Sequence, residues 1–94
     1  MKVSLSNAKK IGDKLGVDFN VVDIKMWQYG MQVELEHGYI NPKTNVTNDN
    51  LLLTGKIALA HILEFPDYYI RLQKLEAKAD TYWSSKKKPK ILKQ

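Results

Sequence analysis

The sequence predicts an all-α protein: a compact bundle of three main helices plus a short N-terminal helix, followed by a disordered basic tail. Three observations carry this reading. Apolar residues recur at helical spacing in four separate segments. The first three segments stop at Gly16, Gly38 and Phe65-Pro66, residues that break helices. No two segments alternate in a way that supports a strand pair, the opening "MKVSL" being the single edge-strand candidate.

Each element follows from its residues. Ser4 or Ser6 caps a first helix in which Ala8, Ile11 and Leu15 share a face, and Gly16 ends it. "VDFNVV" is a connector, with Val17 and Phe19 pinned to the core. Asp23, or Asn20 a turn earlier, caps the second helix. Its stripe is Ile24, Trp27, Met31 and Leu35. Gly30 inside that stripe costs about 1 kcal/mol relative to alanine, a cost that close approach of another helix would explain. Gly38 reads as a left-handed closing residue. "YINPKTNVTNDN" is a loop whose asparagines bond their own backbone, and Asp49 is the expected cap of the third helix. That helix, roughly Leu51 to Glu64, is rich in apolar and small residues and reads as the most buried element. After the Phe65-Pro66 break, the fourth helix is expected to bury Tyr68, Leu72, Leu75, Ala79 and Tyr82.

Ninety-four residues allow one domain, here residues 1–83, and a flexible lysine-rich tail, 84–94. The absence of cysteine excludes disulfides, thiolate metal sites and thiol nucleophiles. The longest apolar run, "IALAHIL", is too short to span a bilayer, and the opening lacks the apolar region of a signal peptide. The expectation is a soluble, intracellular protein. Residues 1–83 carry equal numbers of basic and acidic side chains, so the net charge of +5 resides in the tail, at Lys86, Lys87, Lys88, Lys90 and Lys93.

Chemistry-bearing residues concentrate on the second and third helices. Glu34 and His37 stand one turn apart, and His61 and Glu64 repeat that spacing in reverse order. Antiparallel packing would bring the two pairs together, with Asp67 adding a further carboxylate. The main reading is a buried polar network in which each group satisfies another. The alternative is a metal-binding or hydrolytic centre, since imidazole and carboxylate suit Zn, Fe or Mn. One chain supplies at most a four-ligand mononuclear site, and no substrate pocket is evident. No resident cofactor and no catalytic residue is therefore assigned.

The tail lysines offer salt-dependent, sequence-independent contacts to nucleic acid and resemble a nuclear-import patch. Arg71 is the sole arginine, which argues against base readout. Ile91 and Leu92 could dock on the domain. Tyr68 and Tyr69 cannot both face inward, and Tyr69 is taken as a surface residue available to a partner.

From Val33 to Leu75, and more loosely over residues 8 to 83, the chain resembles a family of short domains of unknown function, DUF5661. The resemblance is carried by Glu34, His37, Gly38, Asn41, Pro42, the "TNVT" run at 44–47, Asp49, "LTGK" at 53–56, Ala58, His61, Glu64 and "PDYY" at 66–69. It implies occurrence in bacteria, phages and large DNA viruses, and no established activity, cofactor or substrate. The lysine tail departs from the family's common ending. The combined expectation is a small non-enzymatic interaction or accessory protein that contacts a protein partner or itself. A virion or nuclear association would run through the tail.

Overall fold

The computed structural model describes residues 1–93. Four helices make up the fold, with no strand among the described residues: α1 (Leu5–Leu15), α2 (Ile24–Tyr39), α3 (Leu51–Glu64) and α4 (Tyr68–Trp83). None of them is long and apolar enough to cross a membrane.

Side chains with oxygen acceptors start three of the four. Ser4 accepts from the Asn7 N–H at 3.0 Å and starts α1. Asp23 accepts from the N–H groups of Lys25 and Met26 and starts α2. Each satisfies a donor that the first helical turn leaves open. The third cap differs from expectation. Asn50, not Asp49, accepts from the Leu53 N–H, at 3.0 Å. Asn48 and Asp49 instead turn the chain with φ of 51° and 62°, and the Asp49 carboxylate accepts from the Asn45 side-chain amide at 2.9 Å. The short polar side chains of Asn and Asp tolerate this left-handed region better than others.

Gly16 closes α1 with φ 80°, as its position foretold. Gly38 does not close α2. The helix runs on through Tyr39, and Ile40 still donates its N–H to the Glu36 carbonyl. Glycine at 38 serves a different need: a Cβ there would stand 3.2 Å from the Asn45 side-chain oxygen, so the loop lies directly on the helix backbone. Thr44 ties this loop to the helix end by donating its hydroxyl to the His37 carbonyl at 2.9 Å.

Packing centres on α2, against which α1, α3 and α4 all rest. Val3, Ala8, Trp27, Met31, Val33, Leu35, Ala58, Ile62 and Tyr69 form the core. The fully buried Trp27 donates its indole N–H to the Ala8 carbonyl at 2.8 Å, joining α2 to α1. α2 is also more deeply buried than α3, against expectation. The apolar residues of α3 run around its whole circumference, so composition did not reveal which would face solvent, and Leu53 and Leu63 do.

α4 departs furthest from its expected packing. Tyr69 is its one buried residue; Tyr68 and Leu72 are half-buried, and Leu75, Ala79 and Tyr82 are exposed. From Ala77 to Tyr82 every residue faces solvent. The helix is longer than the surface it rests on, so its second half runs past the core. The expected disordered tail begins at Ser84, and its first residues are not free of α4. The chain leaves α4 through a turn in which Lys86 donates its N–H to the Trp83 carbonyl, and the Lys86 ammonium lies 3.8 Å from the Tyr82 ring centroid. Lys87, Lys88, Lys90 and Lys93 are exposed, and Ile91 and Leu92 are exposed rather than docked. Gln94, the last residue of the expected tail, lies outside the described residues.

Candidate functional site

Three helices converge on one carboxylate. Glu34 sits on the inner face of α2, 9% exposed, one turn beyond Gly30. Tyr69, on the first turn of α4, reaches across that glycine: a Cβ at position 30 would lie 2.6 Å from the Tyr69 ring. The expected close approach at Gly30 is thus made by a single aromatic side chain. With its ring seated there, the Tyr69 hydroxyl donates to Glu34 Oε2 at 2.6 Å, in a buried hydrogen bond. A charged acceptor makes this bond stronger than one between neutral groups.

Two imidazoles flank the same carboxylate. His61 Nε2, from α3, is 3.8 Å from Glu34 Oε2, and His37 Nδ1, one turn along α2, is 3.8 Å from Oε1. These separations exceed hydrogen-bond length and give a charge interaction only when the imidazole is protonated. The His61 ring stacks on Tyr68 with centroids 4.2 Å apart and planes within 9°. Tyr69 meets His61, Tyr68 and Tyr29 edge-on. Burial pushes the Tyr69 phenol well above its ordinary range, and the hydrogen bond to Glu34 and the charge of that carboxylate push it the same way. The hydroxyl accordingly stays a donor. Tyr29, beside it, is also raised, by burial first and then by the charges of Glu76 and Glu36.

The arrangement corrects the anticipated one in three respects. Glu64 is exposed near the end of α3 and takes no part in the cluster. Asp67 is engaged elsewhere, its carboxylate accepting from Arg71 Nε at 2.9 Å. That bond, more than the Arg71 charge, holds the Asp67 carboxyl below its usual range. Two facing acid–imidazole pairs are therefore replaced by one acid, two imidazoles and a phenol. Tyr69, taken as a surface contact, is wholly buried and is the acid's principal partner. A signal for it was present in the sequence: Gly30 and Glu34, four apart on one helix face, leave a slot for a ring with an acceptor at its end. Among the described residues, no group of three or more His, Cys, Asp or Glu side chains is placed to hold a metal ion. Every buried side-chain nitrogen and oxygen among them has a hydrogen-bond partner.

No curated protein and no solved structure matches the chain. A family model does match, over residues 8–78, a span that runs from α1 into α4, contains Glu34, His37, His61 and Tyr69, and stops short of the tail. On that match the chain belongs to the family described as protein of unknown function, DUF5661.

Proposed function

We propose that this chain is a small non-enzymatic interaction module whose contacts are made by the second half of α4 and the lysine tail, the rest of the fold serving to hold them out. The observation that supports this most is the course of α4: it leaves the core after its first turns with Leu75 and Tyr82 exposed, and it leads directly into the five lysines that hold the net charge. Apolar side chains on a projecting helix favour a protein partner, and a cationic end favours a polyanion. Nucleic acid is the polyanion in this reading, bound through phosphates and without base readout. An intracellular setting suits it, with virion or nuclear association where such polyanions are concentrated.

Retention of DNA measured against salt, for the full chain and for a variant ending at Trp83, tests the tail. The full chain should bind with an affinity whose logarithm falls by about 0.9 per logarithmic unit of salt for each phosphate neutralised. The shortened chain should lose that binding. Equal retention by both would end the nucleic-acid part of the proposal.

A metal-binding or hydrolytic role at Glu34, His37 and His61 is the rival. Its support is the flanking of one sheltered acid by two imidazoles. Against it stand the exposed Glu64, the engaged Asp67 and the commitment of Glu34 to Tyr69. Elemental analysis of untagged protein separates the two: stoichiometric metal that disappears in His61→Ala would favour the rival.

A further inference from the structure

We propose that α4 pairs with the α4 of a second copy of this chain, side by side and parallel, as a short two-stranded coiled coil. The inference rests on reading the projecting half of α4 as a contact surface, and it names the partner.

Tyr68, Leu72, Leu75, Ala79 and Tyr82 are spaced four, three, four and three apart. This is a strict heptad seam, with Leu72 and Ala79 at a and Tyr68, Leu75 and Tyr82 at d. A globular helix resting on a core normally shows a wider apolar face. Tyr69 and Trp83 give α4 that extra width, but Tyr69 is spent on the chain's own core, whereas Leu75 and Ala79 of the seam are exposed and Tyr82 is 55% exposed beneath Lys86.

A hole for a partner's side chain is already formed. Phe65, Tyr68, Arg71, Leu72 and Leu75 line a shallow, mostly apolar depression on α4. Four of these residues occupy successive d, g, a and d positions, the set that receives an a-position knob from the facing helix in a parallel coiled coil. In a symmetric pair, Leu72 of each copy enters the depression of the other.

Charge selects the orientation. Arg71 and Lys78 fall at g, and Glu76 at e. In a parallel pair, the g residue of one helix meets the e residue five positions on in the other, so Arg71, whose Nε is held by Asp67, turns its exposed terminal N–H groups to the partner's Glu76, once on each side. Lys78 then faces Trp83, whose ring can receive the lysine stem and its charge. An antiparallel pair sets g against g and e against e, so its charged flanking contacts would bring like charges together, cation against cation at Arg71 and Lys78 and acid against acid at Glu76. Parallel pairing also sends both tails out at the same end, which doubles the lysines presented there.

The seam spans little more than two heptads, so association should be weak and concentration-dependent. Sedimentation of the full chain over a wide concentration range should show monomer passing to dimer. Leu75→Asp should weaken this about a hundredfold or more, the loss expected when one leucine per copy leaves an interface. Its thermal transition at low concentration should be unchanged, since Leu75 is 61% exposed in the single chain. Glu76→Arg should weaken dimerisation too, by placing Arg71 against a second cation. The chain has no cysteine, so Ala79→Cys introduces a unique thiol; in a parallel dimer the two thiols face one another and should join under oxidised glutathione. A monomer at every concentration would overturn the inference and leave the seam to a helix of another protein. Association untouched by Leu75→Asp, or a dimer whose introduced thiols do not join, would overturn it as well. DNA retention is read separately, so failure of the tail reading leaves this result interpretable.

Discussion

Tyr69 and Tyr82 lie on the same helix, and little about their residue type separates them. Tyr69 is fully buried, donates to a carboxylate on a neighbouring helix and meets three other rings edge-on. Tyr82 is 55% exposed and has Lys86 over its face and Trp83 at its edge, both from its own stretch of chain. One end of α4 is therefore a structural element of the bundle, and the other is a projection whose contacts are local. The difference shows that a single amphipathic helix can belong to a core for its first turns and to something outside that core for the rest.

Truncating each ring should reveal how differently the two ends of α4 are held. Tyr69→Ala should destabilise the fold by about 3–5 kcal/mol, the cost of emptying a large buried aromatic site, and it also strips Glu34 of its donor. Tyr82→Ala should change stability by no more than about 0.5 kcal/mol. Urea unfolding of the two variants at low protein concentration checks both. Similar losses would mean that the second half of α4 is held as firmly as the first.

Removing only the hydroxyl sharpens the same contrast. Tyr69→Phe should cost about 1.5–3 kcal/mol, since a hydrogen bond to a charged, sheltered acceptor is lost. It should also alter the response to alkali. The Tyr69 phenol is raised in the folded chain, which therefore holds that proton more tightly than the unfolded chain does. The resulting stability is fully present below the ordinary phenol range near pH ~10 and is lost as pH rises beyond it. Tyr29, also raised, adds a slope of the same sign. Stability measured from neutral pH upward should thus fall more gently in Tyr69→Phe than in the natural chain. A steeper fall would mean that the phenol is not held protonated by its surroundings.

The smallest of these effects concerns the loop that fixes α3 against α2. Asn50→Ala removes the side chain that accepts from the Leu53 N–H and should cost about 1 kcal/mol. Asp49→Ala should leave the start of α3 in place, because its carboxylate accepts from Asn45 rather than from the helix. Comparison of the two by thermal unfolding decides which residue caps α3.

The helices themselves were legible because their signals are local. Ser4, Asp23 and Gly16 act on the backbone within one turn, and Pro66 interrupts the chain wherever it is placed. Gly38 misled for an instructive reason. Glycine permits a left-handed turn and also permits close contact, and the sequence marks the permission without stating the use; here the loop at Asn45 needed the space. The site was half legible. Glu34, His37 and His61 do converge, because α2 and α3 pack against one another. Glu64 does not join them, since it faces solvent near the end of α3. Tyr69 was missed because neighbouring tyrosines on a helix look equivalent until it is known which of them meets Gly30.

From its residues alone the chain fixes four helices, their main start and stop signals and a charge confined to its end, all consequences of interactions between residues close in sequence. Tertiary structure decided the rest: which tyrosine is swallowed, which carboxylate is sheltered, and how far α4 stays with the core. Those outcomes depend on the shapes that distant segments present to one another, and helical periodicity states only that a face is apolar. It does not say whether that face meets the chain's own core or runs past it.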